Sequence, residues 1–416
     1  MAREVHPVFA PSQPFTQPDS IVPLAQAATL RRLPPYVFAE LDRLKARARA
    51  SGKTLVDLGI GSPDLPMAPG VIDALDKAAR LPGIQGYPPF LGAPTLFAAI
   101  EQFMRERFDV AVDSAREALV LTGAKEGISS IIAALCDPGD VVLVPAIYYP
   151  VYARASWLVG AEVKFIPMRA SDGFVVDFDA LHWADLQRAK IMIVNYPNNP
   201  TGARVDGDFY DRAVAFARKH DLLLVSDVAY SELTYDGVPA PSALSSDPRH
   251  EVTLEFHSCS KTFSMAGLRI GFCVGNAAAV EALAAYRSNL GYGTATPIQH
   301  AAAYALEHHV ELVPPTVAIY KARRDAMARS FRDAGWEVRA PEATMYFWLP
   351  VPEGMDDWAW VNTLIDEEGI VVTPGVTFGD AGRGFFRVSM VRDEQTLSWA
   401  AERIAARHAP TVRPSR

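Results

Sequence analysis

Cysteine is scarce in this chain: Cys136, Cys259 and Cys273 are its only three among 416 residues. That excludes a disulfide-stapled scaffold, and no closely spaced ligand pairs suggest a structural zinc site, so no metal is expected. The three are read as reduced thiols of a cytoplasmic protein. Positive charge is not in excess either. Against 48 Asp and Glu stand 40 Lys and Arg, a net charge of -8, which argues against nonspecific binding to nucleic acid or to an anionic membrane surface. Apolar runs are short, and none reaches the length that spans a bilayer. The stretch Met1 to Ala28 carries Pro7, Pro11, Pro14, Pro18 and Pro23 with no apolar core behind a basic start, so it does not read as a secretory signal. What is present is the balance of a globular protein, 50% hydrophobic and 21% charged, with length for two or three cores and a small metabolite as the expected partner.

Residues 1–30 read as an extended, proline-rich arm. From Tyr36 to Ala50, Val37, Phe38, Leu41 and Leu44 recur at helical spacing, with Arg43, Lys45, Arg47 and Arg49 expected on a solvated face. Short apolar runs then alternate with helix-length stretches: 119–121, 141–144, 191–194, 222–225 and 252–256. Runs apolar on both faces and separated in this way predict parallel strands covered by helices. In such sheets ligands bind beyond the carboxyl ends of the strands. The residues following each run are therefore the candidates: Thr122-Gly123-Ala124-Lys125-Glu126-Gly127 before an apolar helix over 128–135, Asn195 to Gly202, and Ser226-Asp227-Val228-Ala229-Tyr230. A long alanine-rich helix is expected over 297–335, then a smaller α+β unit using 335–338, 346–351, 370–373 and 385–390, joined by the segment 57–64.

The most informative residue is Lys261, in Ser258-Cys259-Ser260-Lys261 with Arg269 eight positions on. An amine able to form a Schiff base, beside two hydroxyls and a guanidinium that can hold a dianion, suggests pyridoxal 5'-phosphate. That cofactor also needs an acid beside its ring nitrogen, donors to its phenolate oxygen, an aromatic face and a phosphate cup. Asp227 can be the acid, Tyr230 and Asn199 the donors, and Tyr149 the face.

The order Asn199-Pro200-Thr201-Gly202, Asp227 with Tyr230, Ser258 to Lys261 with Arg269, and then Arg387 resembles the class I/II aminotransferases, which are fold type I pyridoxal-phosphate enzymes. Bacterial alanine and LL-diaminopimelate aminotransferases are similar in further detail, at 32–38, 123–127 and 343–348, with the alanine type fitting best. The resemblance implies an α/β fold, with a mainly parallel large domain over 62–297 and a small domain from 31–61 plus 298–416. It implies Lys261 as the Schiff-base residue and proton carrier, Asp227 as the ring-nitrogen partner, and a phosphate cup of Gly123, Ala124, Lys125, Ser258, Ser260 and Arg269. It implies Arg387, with Gly61 and Asn199, as the site of the substrate α-carboxylate. Tyr87, and the segment 292–294, would reach the cofactor phosphate of a neighbouring subunit, giving a homodimer with shared sites. Relatives commonly have serine where this chain has Ala124, which removes one hydroxyl from the cup.

Two rivals share the cofactor cradle: a carbon-sulfur lyase, and a noncatalytic regulator that senses cofactor or amino acid. Gly59-Ile60-Gly61-Ser62-Pro63-Asp64 lacks the helix opening and third glycine of a dinucleotide fingerprint. His308, His309 and Glu311 read as a solvated helix face rather than a metal site. No residue is uniquely placed to hold a distal substrate carboxylate, Arg287 and Lys125 being the candidates, so the amino donor stays open among alanine, a larger neutral amino acid and LL-diaminopimelate.

Overall fold

The structure is a computed structural model that describes residues 25–408; most of the expected N-terminal arm (1–24) and residues 409–416 lie outside the described residues. Seven strands form the main sheet: β1 (Ala118–Leu121), β2 (Val141–Pro145), β3 (Glu162–Ile166), β4 (Ala189–Asn195), β5 (Leu223–Asp227), β6 (Thr253–Ser258) and β7 (Gly271–Gly275). Their order across the sheet is β1-β7-β6-β5-β4-β2-β3. Alternate residues enter different cores. Val142, Ile191 and Ile193 pack on one face, while Val141, Leu143, Met192 and Val194 pack on the other. Burial of both faces by helices is what makes these strands continuous apolar runs.

Strand direction decides where the chemistry collects. β3, β2, β4, β5 and β6 are parallel, whereas β7 runs antiparallel to both β6 and β1. The mainly parallel sheet expected from the sequence is borne out: the strands of all five apolar runs point the same way, and β7, which lies outside those runs, is the antiparallel one. The reversal makes β1 run the same way as β6. It also brings the start of β7 to the edge where the others end: Gly271 pairs with Leu121 on one side and Ser258 on the other. The turns after β1, β4, β5 and β6 and the residues just before β7 thus meet at one edge.

A second core gathers residues far apart in sequence. Leu41 and Leu44 of the helix Val37–Ala50 join Tyr346, Phe347, Trp360, Ile370, Phe386 and Val388, together with Leu397 and Ile404 of the helix Glu394–His408. Here β8 (Tyr346–Pro350) and β9 (Thr373–Pro374) flank β10 (Phe385–Ser389) in an antiparallel sheet. The short strand Val56–Asp57 pairs in parallel with Ile370–Val371.

Several sequence expectations are revised. The long helix over 297–335 is two helices, Thr296–Glu307 and His309–Asp333, broken where His308 leaves helical geometry at φ -108° and ψ 20°. His309 is buried rather than solvated, with Nδ1 2.9 Å from the Leu306 carbonyl. Lys45 is also buried, at 6% exposure, because its amine pairs with Asp42 and Asp57 at 2.6 and 3.2 Å. Segment 335–338 forms no strand.

Candidate functional site

At the shared edge lies a recess of about 420 Å³. Its lining includes Gly61, Gly123, Ala124, Lys125, Tyr149, Asn199, Asp227, Tyr230, Ser258, Ser260, Lys261, Arg269 and Arg387. Of the candidates drawn from sequence, Tyr87, the segment 292–294 and Arg287 stand outside it; Tyr87 is 77% exposed, with its ring stacked on Tyr292 at 3.9 Å.

Lys261 sits on the short helix Cys259–Thr262, whose entry is fixed by the Ser258 hydroxyl accepting from the Ser260 N–H at 3.2 Å. Its amine donates to the Gly61 carbonyl. Burial lowers the pKa of this amine, and the Arg387 and Arg269 guanidinium groups push the same way against the Tyr346 phenol. The result favours a neutral amine, the form that can act as nucleophile or base.

Asp227 ends β5 and is buried. Its Oδ2 accepts from the Tyr152 hydroxyl at 2.6 Å and its Oδ1 from the Ala229 N–H at 3.2 Å. Burial raises its pKa, while these two donors and His257 act to lower it. On the neighbouring strand end, Asn195 donates to the Asp227 carbonyl at 2.7 Å and accepts from the Asn199 N–H at 2.9 Å, so one amide locks two strand exits together.

The recess is also rich in donors and cations. The helix Ala124–Leu135 starts four residues earlier than its apolar run predicts, so its first-turn N–H groups, which have no partner within the helix, open at Ala124 and Lys125. Gly123 caps it at φ +99°, and a Cβ there would lie 2.7 Å from Arg269 Nη2. Arg269 is held by the Ala266 carbonyl at 2.9 Å and the Thr122 carbonyl at 3.3 Å, with no acid paired to it among the described residues. Lys125 likewise has no acidic partner among them, and desolvation, Arg269 and Arg154 lower its pKa. Arg287, the other candidate for a distal carboxylate, is instead committed to Glu126 at 2.8 Å and the Val120 carbonyl at 2.7 Å, and does not line the recess.

Arg387 enters from β10 and is 3% exposed. It donates to Asn199 Oδ1 at 2.8 Å and to the Gly59 carbonyl at 2.7 Å, and its guanidinium lies between the Tyr346 and Phe378 rings at 4.2 and 4.8 Å. Its Nε is buried with no hydrogen-bond partner, and no carboxylate pairs with it among the described residues. A buried cation in this state is set to receive an anion.

A family model for aminotransferase class I and II matches residues 53–404. The chain belongs to that family. The aminotransferase is 40% identical over 381 residues to an LL-diaminopimelate aminotransferase of Natranaerobius thermophilus, covering 92% of this chain and 99% of the relative. It is 41% identical over 379 residues to one from Desulforudis audaxviator, covering 91% and 97%. Among solved structures, apo-BacF from Bacillus subtilis superimposes with a TM-score of 0.89 at 33% identity, covering 93% of this chain and 99% of that one. A probable N-succinyldiaminopimelate aminotransferase from Thermus thermophilus gives 0.83 at 34% identity, covering 89% and 99%. The fold is therefore that of a fold type I aminotransferase.

Sequence reasoning missed Tyr152 and Tyr346. Tyr152 falls one helical turn after Tyr149, and that spacing was a usable signal for a second inward ring. Tyr346 carried no such signal, since it is one more apolar residue of a buried strand.

Proposed function

We propose that this aminotransferase holds pyridoxal 5'-phosphate in the recess and moves an amino group between an amino acid and a 2-oxo acid such as 2-oxoglutarate or pyruvate. The donor set fits that group. Among the described residues Asp227 is the single acid lining the recess, and Gly123, Ala124, Lys125, Ser258, Ser260 and Arg269 line it as well. A methyl group at position 123 would take the space beside Arg269, so glycine preserves room for a dianion. The missing hydroxyl at Ala124 leaves the backbone donors in place.

When bound, the cofactor supplies an electron sink that lets a Cα–H bond break. In this reading Lys261 Nζ would be the attachment point and would carry the proton, its lowered pKa favouring the neutral form when released. Asp227, supported by Tyr152, would hold the ring nitrogen protonated. Tyr230 and Asn199 would donate to the ring oxygen, and Tyr149 would cover the ring face. Arg387 grips the substrate α-carboxylate beside Gly61 and so decides which Cα bond is aligned to break. The observation that carries this reading is the buried Arg387 guanidinium, with no carboxylate paired to it among the described residues, in the same recess as the Lys261 amine. The test is Lys261→Ala, followed by visible absorbance and by turnover with alanine plus 2-oxoglutarate. Unchanged values would overturn the assignment.

For the amino donor, Lys125 favours a substrate with a distal carboxylate, and the relatives named LL-diaminopimelate aminotransferase favour LL-diaminopimelate over alanine. A panel of donors against 2-oxoglutarate and pyruvate decides between them. The exposed stack of Tyr87 and Tyr292, with Leu290 exposed beside it, supports a homodimer in which Tyr87 reaches the neighbouring site. A holoenzyme that sediments as a monomer would refute it. The small-unit core, fed by residues 37–50 and 346–405, supports a small domain of 31–61 plus 298–416 on a large domain of 62–297. The cytoplasm is the compartment proposed for this chemistry, and no helix among the described residues is long and apolar enough to cross a membrane.

A further inference from the structure

Tyr346 meets three residues of the proposed machinery, Tyr230, Arg387 and Gly61. It reaches the recess from β8, its hydroxyl 2.7 Å from the Tyr230 hydroxyl, and both side chains are buried. Neither hydroxyl has another hydrogen-bond partner among the described residues. Its ring face lies 4.2 Å from the Arg387 guanidinium, and a Cβ at Gly61 would overlap its hydroxyl.

A single O–H···O bond commits one of the two phenol protons and leaves the other free. Were Tyr230 the donor, its proton would point at Tyr346 and be lost to the recess. With Tyr346 as donor, Tyr230 keeps its own proton for an acceptor in the recess and is held in a fixed direction while it gives it. We propose that Tyr346 is a positioning residue of this site: its hydroxyl proton fixes Tyr230 as a donor into the recess, and its ring seats Arg387. One side chain thereby sets the distance between the ring-oxygen donor and the carboxylate clamp. This rests on the roles proposed above for Tyr230 and Arg387.

The test compares Tyr346→Phe and Tyr346→Leu with Tyr230→Phe and Arg387→Leu in the holoenzyme. One readout is the ratio of its two near-ultraviolet and visible bands at fixed pH without substrate. The other is the Kd for propanoate, a carboxylate without an amine. Tyr346→Phe keeps the ring and loses the proton, so the band ratio changes by about twofold or more while the propanoate Kd stays within about twofold of wild type. Tyr346→Leu loses the ring face as well and weakens propanoate by about tenfold. If Tyr346→Phe leaves the band ratio at its wild-type value while Tyr230→Phe moves it, the inference fails and the proposed function stands. The inference fails equally if Tyr346→Phe lowers only the melting temperature. If Tyr230→Phe and Arg387→Leu leave both readouts unchanged, the proposed function itself fails and takes this inference with it. Should Tyr346→Leu not fold, the near-isosteric Tyr346→Phe still decides the role of the hydroxyl.

Discussion

Arg387→Lys isolates the contribution of geometry from that of charge. The guanidinium spends one N–H on Asn199 Oδ1 and one on the Gly59 carbonyl, which leaves Nε and one hydrogen on each terminal nitrogen to meet a carboxylate in a two-point grip. A lysine ammonium has three donors, and satisfying the same two acceptors leaves one. The substitution therefore removes one charge-assisted hydrogen bond, about 1.5–3 kcal/mol, or roughly 10- to 150-fold in kcat/KM. Arg387→Leu removes both, about 3–6 kcal/mol, a loss of roughly 10²- to 10⁴-fold. The assay is steady-state transamination of alanine against 2-oxoglutarate, run beside ethylamine, which has the amine and lacks the carboxylate. The preference for alanine over ethylamine collapses by the same factor as the loss on alanine, because only the carboxylate contact has changed. A lysine variant that keeps kcat/KM within about twofold of wild type, or one that loses as much on ethylamine as on alanine, would refute the reasoning.

Three further outcomes are expected. Lys125→Met lowers kcat/KM for LL-diaminopimelate by about fivefold, the scale of a single exposed charge pair, and leaves alanine within about twofold; equal losses on both donors would remove Lys125 from the distal end. Arg323 grips both oxygens of Asp64 at 2.7 Å and donates to the Met390 carbonyl at 3.1 Å, pinning the loop whose Gly59 and Gly61 carbonyls receive Arg387 and Lys261. Arg323→Lys and Asp64→Asn each lower kcat/KM by about three- to tenfold and the double variant is no worse than either, whereas additive losses would deny the coupling. Asp247 has its pKa lowered: burial raises it, but the N–H groups of Val252 and Glu251, Thr253 and Arg218 outweigh that. A lowered carboxylate pKa gives stability that is present above its unfolded pKa and is lost as pH falls through its folded one. Asp247→Asn thus costs about 1–3 kcal/mol in urea unfolding at pH 7 and progressively less below about pH 4, and a gap that does not narrow there would contradict the assignment.

Much of the site was legible because the parallel-sheet rule turns a hydropathy pattern into a location. Buried runs mark the strands, their carboxyl ends share an edge, and so Asn199, Asp227, Tyr230 and the 122–127 turn meet without any contact being known. Lys261 and Arg269 were legible by residue type and spacing. What escaped was set by long-range partners. Glu162–Ile166 is an edge strand that pairs on one side only and is buried fully at Ile166 alone, so it lacks the continuous apolar signature. Lys45 looks solvated on its helix until Asp57 arrives from the strand Val56–Asp57, and Arg287 looks free until Glu126 claims it. Tyr87 belongs to the proposed site only if a second copy brings a recess to it.

The contacts that tie the small unit to the sheet edge explain why Tyr346 could not be foreseen. Three side-chain bonds cross at the recess: Arg387 to Asn199, Tyr346 to Tyr230, and Lys261 to the Gly61 carbonyl. They tie Asn199, Tyr230 and Lys261, which follow strands of the main sheet, to Arg387, Tyr346 and Gly61, and each end is either a proposed reacting group or its immediate support. A shift of β8 and β10 against the sheet edge would therefore disturb the Arg387–Asn199 and Tyr346–Tyr230 contacts together. That coupling needs a residue whose value lies in its position between two others, and nothing in its own sequence neighbourhood, Met345-Tyr346-Phe347, distinguishes it from a core aromatic. Such residues become visible only when both ends of the contact are in place.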